Sequence, residues 1–108
     1  REGLVAEYLE ALLPENWDVM DIYRRLEYLR GADDATRVTG TVRRLQVCVM
    51  EIWCECFCKS RESIKKADSY EIEGILNQIG GWAKYEGNKT GKKAVPLYGV
   101  QRVFVRSE

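Results

Sequence analysis

Asp68-Ser69-Tyr70-Glu71-Ile72-Glu73-Gly74-Ile75-Leu76-Asn77-Gln78-Ile79-Gly80-Gly81-Trp82 is the stretch whose reading decides the fold. Asp68 with Glu71 three residues on has the spacing of a capping box, in which each side chain meets the other residue's backbone N–H. Ile72, Ile75, Leu76 and Ile79 recur at helical spacing and face a core, leaving Tyr70, Glu73, Gly74, Asn77 and Gln78 outside. Gly80-Gly81 ends the helix. Trp82, Lys84 and Glu86 alternate with Ala83 and Tyr85, a strand pattern. Residues 97–105 return as a second strand, with Leu97, Val103 and Val105 on one face and Tyr98, Val100, Arg102 and Phe104 on the other. Gly87-Asn88-Lys89-Thr90-Gly91-Lys92-Lys93 then reads as the tip between them.

A capped helix followed by a basic hairpin is how a winged helix-turn-helix ends. The pattern predicts a mainly α, α+β chain with a β-hairpin wing over residues 41–108 and acidic helices over 1–36. Residues 3–13 carry Leu4, Val5, Tyr8, Leu9, Leu12 and Leu13 at helical spacing and stop at Pro14. Asn16 or Asp18 is placed to cap a second helix bearing Val19, Ile22, Tyr23, Leu26 and Leu29, with Gly31 at its C-cap. Residues 31–40 read as a polar, mobile junction. The longest helix is predicted over about 41–59, apolar on two sides and packed between layers, with Ile52 and Trp53 buried. Ser60 to Lys66 reads as a short helical turn.

The chain has 108 residues, 45% of them apolar, which suits one folded domain without disulfides. It opens on Arg1-Glu2-Gly3, without an initiator Met or a basic-then-apolar leader, and is read as a piece of a longer cytoplasmic protein. No apolar run approaches the ~20 residues of a membrane span. Net charge is zero but unevenly spread. Residues 1–36 hold nine acids and four bases, net −5, and residues 84–106 hold six bases and one acid, net +5. One end can therefore meet an anion where the other cannot.

Catalytic chemistry is poorly represented. There is no histidine, hence no imidazole base and no histidine metal ligand. The 87–93 loop lacks the spacing of a phosphate-binding P-loop. Cys48, Cys54, Cys56 and Cys58 fall within eleven residues of one predicted helix, pointing to different sides, so they gather neither a metal nor disulfides. They read as free thiols, with Cys48 and Cys56 in the core. No cofactor and no small-molecule substrate are expected.

Nucleic-acid contact fits the residues better. Lys89, Lys92 and Lys93, with Lys84 and Arg102, can lie along phosphates. Asn77 and Gln78 carry the donor and acceptor pairs that read adenine edges, although Glu71 and Glu73 on the same helix repel phosphate. Tyr85, Tyr98 and Phe104 could stack on unpaired bases but read first as core.

Val47-Cys48-Val49-Met50-Glu51-Ile52-Trp53-Cys54-Glu55-Cys56-Phe57, Lys66-Ala67-Asp68-Ser69-Tyr70-Glu71-Ile72 and Tyr98-Gly99-Val100-Gln101-Arg102, together with Leu13-Pro14-Glu15-Asn16-Trp17-Asp18, resemble the C-terminal end of the virulence-associated protein E family. That resemblance implies a prophage-encoded DNA-replication protein with a primase- or helicase-like P-loop ATPase core outside these residues. This chain would then be a bacterial, non-catalytic accessory domain that positions DNA. The alternative is an interaction or structural module whose acidic helices dock on the ATPase core or another partner.

Overall fold

The structure is a computed structural model that describes residues 1–31 and 40–107. Most of the predicted 31–40 junction, residues 32–39, lies outside the described residues. The architecture is α+β, with four helices and a four-stranded antiparallel sheet among the described residues.

Helix α1 spans Glu2–Glu10 and buries Val5, Tyr8 and Leu9, an i, i+3, i+4 stripe. It stops short of the predicted residue 13. The residue before a proline is pushed out of the helical region, and Leu13 instead exchanges backbone hydrogen bonds with Val42 at 2.8 and 2.9 Å. A 3₁₀ turn over Trp17–Val19 follows. Helix α2, Ile22–Arg30, is capped by Asp21 rather than by Asn16 or Asp18. Asp21 has the extended backbone a cap requires, and its Oδ1 accepts from Arg24 N–H at 2.9 Å. Gly31 closes α2 in the left-handed region, φ 62°, as its position predicts.

The predicted 41–59 helix is the largest departure. Gln46–Cys48 form strand β1, and helix α3 covers only Val49–Glu51 before widening into a π-helical turn over Ile52–Cys56. Phe57 N–H bonds to Ile52 O, five residues back, at 3.0 Å. Val47 and Cys48 are fully buried against the central strand, and that pairing overrides helical propensity at 46–48. Ile52, Trp53, Cys54 and Glu55 are all buried, so this turn does pass between layers as predicted. Arg61–Ser63 make a short 3₁₀ turn.

Helix α4, Lys66–Ile79, begins one turn earlier than predicted. Asp68 occupies its third position and reaches back to accept from Lys65 N–H at 2.9 Å. Ile72 and Leu76 are completely buried, each contributing about 1.5–3 kcal/mol. Gly80 and Gly81, φ 79° and 81°, turn the chain into the sheet.

Strand β4, Gly99–Arg106, is the centre of the sheet. It pairs antiparallel with β1 on one side and with β2, Trp82–Lys84, on the other. Strand β3, Lys92–Val95, pairs with the first half of β4. Val103 donates to Gly91 O at 3.1 Å and accepts from Tyr85 N–H at 3.0 Å. Both backbone groups of one strand residue point to the same edge, so β2 and β3 run end to end along one edge of β4. Residues 85–91 loop out between them. The hairpin therefore turns at Pro96-Leu97-Tyr98, closed by Tyr98 N–H to Val95 O at 3.0 Å, and the lysine-rich segment is a side loop rather than the tip. Proline fits a turn position because its φ is already set and it has no N–H to pair.

Val5, Tyr8 and Leu9 of α1 share one apolar cluster with Val47, Ile52, Ile72, Trp82, Val103 and Phe104. The predicted acidic part and the C-terminal part thus share a core. Leu13, Trp17 and Met20 make a smaller cluster beside it. No helix among the described residues is long and apolar enough to cross a membrane.

Candidate nucleic-acid interface and a buried ionic network

Strand register decides which basic side chains meet. Residues directly opposite in an antiparallel pair, and residues two apart in a strand, share a face. Lys84 lies opposite Phe104, Arg102 is two residues from Phe104, and Lys92 lies opposite Arg102. Lys84, Arg102 and Lys92 therefore share one face, all exposed. Lys89 joins Lys84 and Arg102 around a groove of about 460 Å³ formed by the side loop and the sheet. A second groove of about 380 Å³, between α4 and β4, is lined by Lys66, Tyr70, Lys92 and Arg102. Glu73 lines both, and Glu86 lines the first.

Lys93 departs from this set. It lies opposite Gln101 on the other face, half-buried, with Nζ donating to Gln46 Oε1 at 3.2 Å and sitting 4.9 Å from the Tyr85 ring centre. Asn77 and Gln78 are exposed on α4 but line neither groove. Asn88 holds the side loop in shape: its Oδ1 accepts from Gly91 N–H and its Nδ2 donates to Lys92 O, both at 2.8 Å. Tyr98 and Phe104 are buried, as core aromatics, and Tyr85 is half-buried.

The four cysteines are free thiols. Cys48 is fully buried, Cys54 nearly so, Cys56 partly and Cys58 is exposed. Burial, reinforced by Glu51, pushes the Cys48 thiol far up, and burial raises Cys56 to about 11. Among the described residues, no group of three or more histidines, cysteines and acids is placed to hold a metal ion.

On the interior side lies a cluster that the sequence pattern does not reveal. Arg25, Arg44, Glu51 and Glu55 are at most 5% exposed. Glu55 Oε1 accepts from Tyr8 Oη at 2.6 Å; its Oε2 accepts from Tyr98 Oη at 2.6 Å and Arg25 Nη1 at 2.9 Å. Arg25 Nη2 also donates to Trp17 O at 2.9 Å. Glu51 Oε1 accepts from Cys48 N–H at 3.0 Å, and its Oε2 receives Arg44 Nη1 at 3.4 Å. Burial raises the Glu51 carboxyl to about 7 against the lowering pull of Arg44. Burial, with Glu55 close by, also lifts Tyr8 and Tyr98 far above the usual phenol range, keeping both as neutral donors. The chain positions that carry this cluster, a glutamate at i and i+4 of an apolar segment, are the one signal a sequence reading could have used. Two acids inside an apolar stripe require buried cations somewhere in the fold.

The chain matches no protein-family model and no curated protein.

Proposed function

We propose that this chain is a non-catalytic domain that contacts nucleic-acid phosphates through the face bearing Lys84, Lys89, Lys92 and Arg102. The observation that supports this reading is the register of β2, β3 and β4, which gathers three separated, exposed cations on one face beside Lys89. In this reading α4 and the hairpin act as a winged-helix-like unit, with the side loop 85–91 in place of a basic tip. The resemblance to the C-terminal end of the virulence-associated protein E family gives it a context: positioning DNA for a neighbouring P-loop ATPase. Glu73 and Glu86 sit among the cations, so the contact is weak and insensitive to sequence, within the ~10⁻⁴–10⁻⁶ M of non-specific binding.

Fluorescence anisotropy with single- and double-stranded oligonucleotides at two salt concentrations tests this. Binding should fall steeply with salt, by about 0.9 in log–log slope for each phosphate neutralised on duplex DNA. A Lys84/Lys89/Lys92→Glu variant should not bind. Equal binding by wild type and variant, or none by wild type at low salt, removes the reading.

One observation favours a docking module instead. Val19, at the end of the 3₁₀ turn, and Tyr23, in the first turn of α2, are 84% and 80% exposed within the acidic part. In that case the partner is the ATPase core, and its binding would be nearly independent of salt.

A further inference from the structure

Five side chains drawn from distant parts of the chain stack inside the fold. The Arg44 guanidinium lies 4.3 Å from the Tyr8 ring centre and 5.6 Å from that of Trp17. Arg25 lies 4.6 Å from Trp17 and 6.0 Å from Tyr98. Aromatic stacking covers the flat faces of a guanidinium and leaves its in-plane N–H groups to find acceptors. For Arg44 only Nη1 has one, Glu51. Arg44 Nε and Nη2, Trp17 Nε1 and Arg25 Nε are buried without a hydrogen-bond partner. All four are donors. A buried donor left unpaired loses its hydration without replacing it, so a cluster of four calls for an acceptor.

The pairing is specific. Nε and Nη2 of one arginine form a fork that matches the two oxygens of a carboxylate. Arg44, Trp17 and Arg25 line one cleft of about 380 Å³, a volume within the range of small-molecule sites. Its other walls include Leu13, Pro14, Val42 and Pro96. Val42 and Leu45 at the same cleft are 42% and 67% exposed, so the rim over the shielded donors is open to solvent. The charged residues lining it are Arg25, Arg43 and Arg44 against Glu15, Asp18 and Glu51. That balance disfavours a multiply charged anion and leaves one donor fork among apolar walls.

We propose that this cleft binds the carboxylate of a small, singly charged organic acid, held by the Arg44 Nε/Nη2 fork and the Trp17 indole N–H, with the acid's apolar body against Leu13, Pro14 and Val42. The site is independent of the basic face on the sheet.

The test is titration of the ¹⁵N-labelled chain with benzoate, benzamide and inorganic phosphate, following the Trp17 indole N–H. Benzoate should shift that resonance with an affinity of about 1 mM or better, a modest figure for so few ligand atoms. Benzamide, neutral and of the same shape, should not shift it, and phosphate should bind more weakly. Arg44→Lys, which keeps the charge and loses the fork, should weaken benzoate about tenfold or more. If Arg44→Lys does not fold, Trp17→Phe decides, because it keeps a stacked ring and deletes only the N–H. It should weaken benzoate several-fold, read from neighbouring backbone amides. No response to benzoate, equal response to benzamide, tighter binding of phosphate, or unchanged affinity in a folded variant each overturns the proposal.

Discussion

Tyr98 Oη donates to Glu55 Oε2 across 2.6 Å, tying the turn of the C-terminal hairpin to the π-helical turn at the centre of the molecule. The same carboxylate holds Tyr8 of α1 and Arg25 of α2. One buried side chain thus joins four segments that are far apart in sequence.

Glu55→Gln should be strongly destabilising, by about 3–5 kcal/mol, because it leaves the buried Arg25 without its counter-charge. Tyr98→Phe removes a single hydrogen bond to a charged acceptor and should cost less, about 1.5–3 kcal/mol. Urea unfolding of both variants checks the order, and a Glu55→Gln midpoint equal to wild type would show that the ion pair is not a structural tie.

Stability should fall between pH 4.5 and about 7 because of Glu51. Its folded carboxyl titrates near 7, above the ordinary 4.5, so across this window the unfolded chain has released a proton that the folded chain keeps. The contribution is fully present below 4.5 and is lost as pH rises through 7, on the order of 3 kcal/mol. Glu51→Gln mimics the protonated form and should remove this component. The stability difference between wild type and variant, measured by denaturation at several pH values, should slope across that window; a constant difference would refute the assignment.

Lys92 and Lys93 are neighbours with opposite fates. Lys92→Glu should weaken oligonucleotide binding, whereas Lys93→Met should leave it within about twofold, since Lys93 faces Gln46 and Tyr85. Anisotropy on the two single variants would refute the register argument if their effects were reversed.

Cys58 should be the first thiol to react with a disulfide reagent in the native protein. It is exposed, while Cys48 and Cys54 are buried and Cys56 is held at about 11 by burial and the neighbouring Cys58. Labelling followed by mass spectrometry should find Cys48 modified only after unfolding; rapid native modification of Cys48 would contradict its placement.

Local chemistry determined much of this protein from the sequence by itself. Gly31 and Gly80-Gly81 end their helices because only glycine enters the left-handed region freely, and Ile72 and Leu76 face the core because their spacing puts them on one side of a turn. The burial of Trp53 follows in the same way from an apolar segment with two faces. Tertiary structure alone decided the rest. Gln46–Cys48 became a strand because Val47 found Phe104, fifty-odd residues away, and no local preference encodes that meeting. Lys93 left the basic set because the turn formed at Pro96, which shifts the pairing and with it the face of every side chain in the strand. Glu51 and Glu55 found their partners only when the fold brought Arg25, Arg44, Tyr8 and Tyr98 around them. A charge can be buried only where several partners converge, and convergence is a property of the folded chain rather than of any segment in it.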